Sequence, residues 1–193
     1  AAKRLENALH ETAPTAQYDL SGSSRELRAS SSAASVMLGL SLVFIFLVLA
    51  AQFESWIDPV IILVSVPLAV FGAFLTLVVV NMLGTHTSWN IYTQIGIVTL
   101  IGLIAKHGIL IVEFANQLQE QGRSKVEAVL EAAGLRLRPI LMTTGAMVLG
   151  SIPLAIASGA GAEARHQIGW VIVGGMSFGT VLTLFVVPVV YTL

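Results

Sequence analysis

Cysteine is absent, which removes disulfides, thiol catalysis and zinc–thiolate sites together. Charge is scarce as well: Asp, Glu, Lys and Arg are 11% of the 193 residues and sum to −1, so no basic excess points to nucleic acid. No Gly-rich loop closed by Lys-Ser or Lys-Thr is present to cradle nucleotide phosphates, and no His-Glu-x-x-His to hold zinc. ATP is therefore not expected to supply energy on this chain, no cofactor is expected, and neither is a nucleophile turn of the Gly-x-Ser-x-Gly type. The first residues, Ala1 to Glu11, are polar and charged with no apolar run behind a basic start, so no signal peptide is expected; the missing initiator methionine points to a fragment.

What the chain has instead is apolar sequence. Hydrophobic residues make up 55% and the mean hydropathy is +0.85, values of the membrane class. Five apolar segments, approximately 33–51, 59–80, 95–118, 139–157 and 168–193, are each long enough to cross a bilayer. The expected fold is all-α membrane, with five transmembrane helices in a domain over 33–193. Residues 1–32 read as the end of a water-soluble domain, a short α+β tail: Leu5, Ala8, Leu9 and Thr12 recur at helical spacing, Pro14 breaks the pattern, and Ala16, Tyr18 and Leu20 alternate as in a strand. Ser23 or Ser24 is placed to cap a short helix ahead of the membrane.

Orientation follows from the short loops. Residues 119–138 carry Arg123, Lys125, Arg136 and Arg138, whereas 81–94 carry no basic residue and 158–167 only Arg165. The positive-inside rule puts 119–138 and the C-terminus in the cytoplasm and the N-terminal stretch outside. Trp56 in the turn 52–58 is then an inner interfacial anchor, and Trp89 and Tyr92 are outer ones. Val126, Val129, Leu130 and Ala133 opposite Glu127 and Glu131 predict a short amphipathic helix over 124–134 on the inner surface, with Pro139 in the first turn of the next span. Gly175 and Gly179 form a small-xxx-small pair that fits either a close helix crossing or a lipid-facing chance occurrence.

One residue stands against this background. Lys106 has about eleven apolar residues on each side, so at about 1.5 Å per residue its ammonium lies near the midplane of a hydrocarbon core about 30 Å thick. A lysine there costs on the order of 2.5–3.5 kcal/mol and calls for a partner. Glu113 shares its face but lies about 10 Å along the axis, which makes it a poor sole partner. Thr99 and Gly102 also share this face, and Gly102 leaves room for another helix against the lysine stem. Two readings remain open: a structural tie to backbone carbonyls, or a charge that pairs with acidic groups on another helix and responds when they protonate. His107 points about 100° away and reads as a packed side chain or a proton carrier. Arg136, Thr143 and Gly150 recur every seven residues along one face of the fourth span, as a positive entrance, a hydroxyl and a gap for water would on a proton path. Taken singly, Arg136 is also ordinary snorkelling at a helix end and Thr143 can bond a carbonyl one turn back.

Several stretches together resemble a known family: Phe53-Glu-Ser-Trp56, Ser65-Val-Pro-Leu68, Ile104-Ala-Lys-His-Gly-Ile-Leu-Ile-Val-Glu-Phe-Ala115, Arg136-Leu-Arg-Pro-Ile-Leu-Met-Thr143 and Ser158-Gly-Ala-Gly161. They resemble the C-terminal part of resistance-nodulation-division (RND) multidrug efflux permeases of the AcrB type, over essentially the whole chain. The resemblance implies that residues 1–32 end a periplasmic porter domain and that the five spans are the last five of twelve. It implies a bacterial inner-membrane homotrimer that exchanges protons for drugs and amphiphiles, working with a periplasmic adaptor protein and an outer-membrane channel. It also implies that Lys106, Arg136 and Thr143 match the family's proton-relay residues; His107 and Glu113 are candidate supporting groups from the reading of the residues alone.

Two departures accompany it. The position after the relay lysine is often asparagine in such pumps and is His107 here. The aspartate pair that binds the proton belongs to the N-terminal half of the family, and no aspartate lies within an apolar segment of this sequence, so the chain alone is not expected to pump. The rival expectations are a lipid- or protein-exporting member of the same superfamily, and a membrane scaffold or receptor in which Lys106 only holds helices together.

Overall fold

The computed structural model describes residues 23–83, 90–159 and 161–193, the first of these up to residue 35 by backbone alone. Six helices follow in order: α1 (Ser23–Phe53), α2 (Ile57–Leu63), α3 (Ser65–Met82), α4 (Ile91–Glu120), α5 (Lys125–Ala155) and α6 (Ala162–Thr192). Taking α2 and α3 together, five of these units are long and apolar enough to cross a membrane, and no strand occurs among the described residues. The strand expected over 16–20 lies outside the described residues, as does the anchor Trp89.

Three boundaries differ from expectation, each for a physical reason. The short helix expected before the first span is continuous with it, so α1 is a single helix of 31 residues. The second span is two helices, parted at Val64. Pro67 has no N–H for the Leu63 carbonyl four residues earlier, and beside the break the Ser65 hydroxyl donates to the Ile62 carbonyl at 2.6 Å. In the third case the surface helix expected over 124–134 and the span expected from Pro139 are one helix, α5, with Pro139 in its interior. Ala128, Val129 and Ala132 before the proline and Ile140 and Thr144 after it are buried against the same neighbours, which outweighs one missing hydrogen bond. Of the apolar face expected to lie on the inner membrane surface, Val129 is buried against the other helices, while Val126 and Leu130 are exposed.

The turns carry their own chemistry. In Phe53-Glu-Ser-Trp56, Glu54 takes a left-handed conformation (φ 51°) and the Ser55 hydroxyl accepts from the amides of Ile57 and Asp58, starting α2. Trp56 is left exposed with its ring 5.9 Å from that of Phe46. Helix α4 ends in a Schellman turn at Gly122 (φ 91°), where the Gly122 amide reaches Gln119 and the Arg123 amide reaches Leu118. Ser124 then opens α5 by exchanging hydrogen bonds with Glu127.

Helices α3, α4 and α6 form the centre, and α1 and α5 lie on its flanks. Gly174 and Gly175 let α6 press against both central partners: a Cβ on Gly174 would sit 2.0 Å from Thr76 Oγ1 of α3, and one on Gly175 2.2 Å from Leu100 of α4. Gly179 is likewise against Ala69 of α3, so the Gly175/Gly179 pair makes a helix crossing and does not face lipid. The string Gly175-Met-Ser-Phe-Gly179 does match Gly-x-Ser-x-Gly, contrary to expectation. It lies inside α6, however, and Ser177 spends its proton on the Val173 carbonyl at 2.7 Å, so it forms no nucleophile turn.

Candidate functional site: two faces of helix α4

Helix α4, 30 residues long, starts where Asn90 Oδ1 accepts from the amides of Tyr92 (3.0 Å) and Thr93 (3.1 Å). One face of that helix is buried by its neighbours through Ile97, Leu100, Ile104, Gly108, Ile111 and Ala115. The opposite face carries Thr99, Gly102, Lys106, Glu113 and Gln117, all exposed. No atom lies within 4 Å of the place where a Gly102 Cβ would be. Among the described residues Lys106 makes no ion pair, with Glu113 or with any other group, and Thr99 bonds only its own helix, at the Ile95 carbonyl.

The other two residues of the expected path lie on α5. Arg136 is half-buried with its guanidinium 4.5 Å from the centre of the Phe114 ring of α4, and its Nε is buried without a hydrogen-bond partner. Thr143 is half-buried and donates to the carbonyls of Pro139 and Ile140, both at 3.0 Å, which is the bond one turn back. Gly150 is exposed with nothing near its missing side chain. Arg136 is thus brought onto α4 at Phe114, while no hydrogen bond or ion pair joins Lys106, Arg136 and Thr143 among the described residues.

His107 is the residue the sequence left most open. It is fully buried, with Nε2 3.3 Å from Thr144 Oγ1 of α5 and Nδ1 3.3 Å from Thr180 Oγ1 of α6. The two hydroxyls are 3.2 Å from each other. The sequence pattern did not bring Thr144 and Thr180 to notice, since a threonine inside an apolar span carries no mark of what it faces.

A second polar group closes the other end of the bundle. Asn116 of α4 donates to Asp58 at 2.9 Å and accepts from the Tyr191 hydroxyl of α6, which in turn accepts from Gln119. The Lys125 ammonium lies 5.7 Å from the centre of the Tyr191 ring. These contacts tie α2, α4, α5 and α6 at the level of the loop 121–124.

The chain resembles known proteins along most of its length. The pattern of the AcrB/AcrD/AcrF family matches residues 1–193. An uncharacterized transporter of Haemophilus influenzae is 51% identical over 91% of this chain. The toluene efflux pump membrane transporter TtgB of Pseudomonas putida is 45% identical over 90%, and the multidrug resistance protein MdtF of Escherichia coli K12 is 44% identical over 90%. The chain spans only 16–17% of the length of these relatives, in their C-terminal part. It therefore belongs to the AcrB/AcrD/AcrF family of RND efflux transporters, a family of membrane transporters and not of enzymes.

Proposed function

We propose that this chain is the C-terminal membrane part of a proton-driven efflux permease, holding the last five of twelve spans, and that Lys106, Arg136 and Thr143 are its proton-relay residues. The observation that carries this reading is the uncovered face of α4. Among the described residues Lys106 and Glu113 have no ion-pair partner there, inside a helix long enough to span, and lipid is a costly neighbour for both. A further helix bearing carboxylates would cover that face and neutralise the ammonium. When the carboxylates take up protons the attraction is lost, the helices shift, and the shift reaches a porter domain of which residues 1–32 are the tail. The remaining partners are a homotrimer, a periplasmic adaptor and an outer-membrane channel, exporting drugs and amphiphiles from a bacterial inner membrane. That TtgB is named for toluene efflux and MdtF for multidrug resistance supports the substrate class.

The deciding experiment is Lys106→Met in the complete transporter. Assembly is retained and efflux is lost; a scaffold would keep both. Arg136→Ala likewise abolishes efflux at near-normal expression, and drug resistance at the wild-type level would reduce Arg136 to a topology signal. For orientation, a cysteine replacing Ser124 stays unlabelled by an impermeant thiol reagent in cells with a permeabilised outer membrane, because this turn is cytoplasmic and residues 1–32 are periplasmic; labelling would reverse the assignment.

A further inference from the structure

His107, Thr144 and Thr180 come from three helices and lie buried at 0%, 8% and 1% exposure, with all three mutual distances between 3.2 and 3.3 Å. Their hydrogens can be counted. A neutral imidazole has one donor and one acceptor, and each hydroxyl offers one donor and accepts another. The three side chains therefore close a ring: one imidazole nitrogen donates to the first hydroxyl, that hydroxyl to the second, and the second back to the other nitrogen. The ring closes equally well in the opposite sense with the other tautomer, so every proton is used in either direction. Buried polar groups that satisfy one another in this way hold their helices in one relative position, since sliding any helix would orphan two of them.

Their place in the sequence gives the ring a consequence beyond stability. His107 directly follows Lys106 on α4, and Thr144 directly follows Thr143 on α5. We propose that the His107–Thr144–Thr180 ring is a positioning clasp that sets the height and rotation of Lys106 relative to Thr143 and Arg136 and makes α4, α5 and α6 move as one unit. The clasp rests on the relay reading for its functional meaning, while its geometry stands without it. Lys106 projects to the uncovered face while His107 projects into the bundle. The charge that must respond to a partner helix is thereby mounted on a side chain neighbour that answers to α5 and α6. His107 is in this role a positioning residue and not a carrier.

The test uses the complete transporter with His107→Leu, Thr144→Val and Thr180→Val, each of which removes part of the ring at similar volume, and Thr144→Ser and Thr180→Ser, which keep the hydroxyl. Spin labels on cysteines replacing Gln121 at the end of α4 and Met142 of α5, both exposed, report the distance between the two helices. Transport per folded molecule falls about tenfold in the three ring-breaking variants, a pair of them costs no more than one, and the serine variants recover. The label distance broadens in step, and the pH profile of transport per folded molecule moves, which a loss of folded protein alone would not produce. The proposal is overturned if Thr144→Val and Thr180→Val transport at the wild-type rate, if their effects simply add, or if the pH profile stays in place while only the yield of folded protein drops. Lys106→Met separates the two readings. If it abolishes transport while the ring variants leave it intact, the relay stands and the clasp fails. If Lys106→Met transports normally, the relay fails and the label distances alone decide the clasp.

Discussion

Lys106 and His107 are neighbours in sequence and opposites in environment. His107 has no exposed surface and two hydroxyl partners from two other helices; Lys106 is exposed and has no ion-pair partner among the described residues. The contrast runs the length of α4, with Ile97, Ile104, Ile111 and Ala115 buried on one face and Thr99, Gly102, Glu113 and Gln117 open on the other. The buried face is complete within this chain. The open face is uncovered by the described residues, and it carries charged and small residues that lipid does not stabilise. A helix can therefore finish its folding with one side and keep the other for a neighbour.

The buried side is the easier to break. Gly174→Leu should have the largest effect, because even a Cβ there would lie 2.0 Å from Thr76 Oγ1 and α3 and α6 would have to part. Overpacking of this kind costs about 3 kcal/mol or more, and the 193-residue chain should lose its monodisperse peak in detergent. Gly102→Leu, with no atom within 4 Å, is the matched change on the open side and should leave that peak unaltered. Equal behaviour of the two would erase the distinction between the faces.

Lys106→Leu sharpens the contrast through its sign. Among the described residues the ammonium has no ion-pair partner, so the substitution should stabilise the isolated chain by about 1–3 kcal/mol in a denaturation series in detergent, while under the proposed relay the same change should inactivate the complete transporter. Destabilisation of the isolated chain would mean that Lys106 already has its partner within these residues, with Glu113 the candidate.

Near the end of α4, Asn116→Leu should deprive Asp58 of its donor and the Tyr191 hydroxyl proton of its acceptor, at a cost of about 1–3 kcal/mol, read as a lower unfolding midpoint. Tyr191→Phe in the same background should then cost little more, since the network is already open. The smallest change lies outside both faces: Ser124→Ala removes the cap of α5 and should cost about 1 kcal/mol, measured as a small rise in amide exchange confined to the first turn of that helix.

Much of this was legible in the residues. The five spans follow from run length, because a bilayer selects on apolar length alone, and Lys106 announces itself because a charge in such a run is costly wherever the helix points. The rotation of α4 was also accessible: Thr99, Gly102, Lys106 and Glu113 fall on one side at helical spacing, and that side is the uncovered one. Pro139 was misread because a proline favours a helix start locally, whereas burial of Ala128, Val129 and Ala132 on one side of it and Ile140 on the other carries the helix through. The second span hid its break for the opposite reason, since hydropathy does not register the backbone proton that Pro67 lacks.

The sequence by itself determined that this is a membrane chain of five spans with one lysine at mid-depth, because those facts depend on composition and on distance along a helix. Only the tertiary structure decided that His107 meets Thr144 and Thr180, that Arg136 lies over Phe114, and that Gly174 and Gly175 are crossing points. These depend on how helices far apart in sequence are rotated and set in height against one another, and a uniformly apolar helix has no stripe from which that rotation can be read.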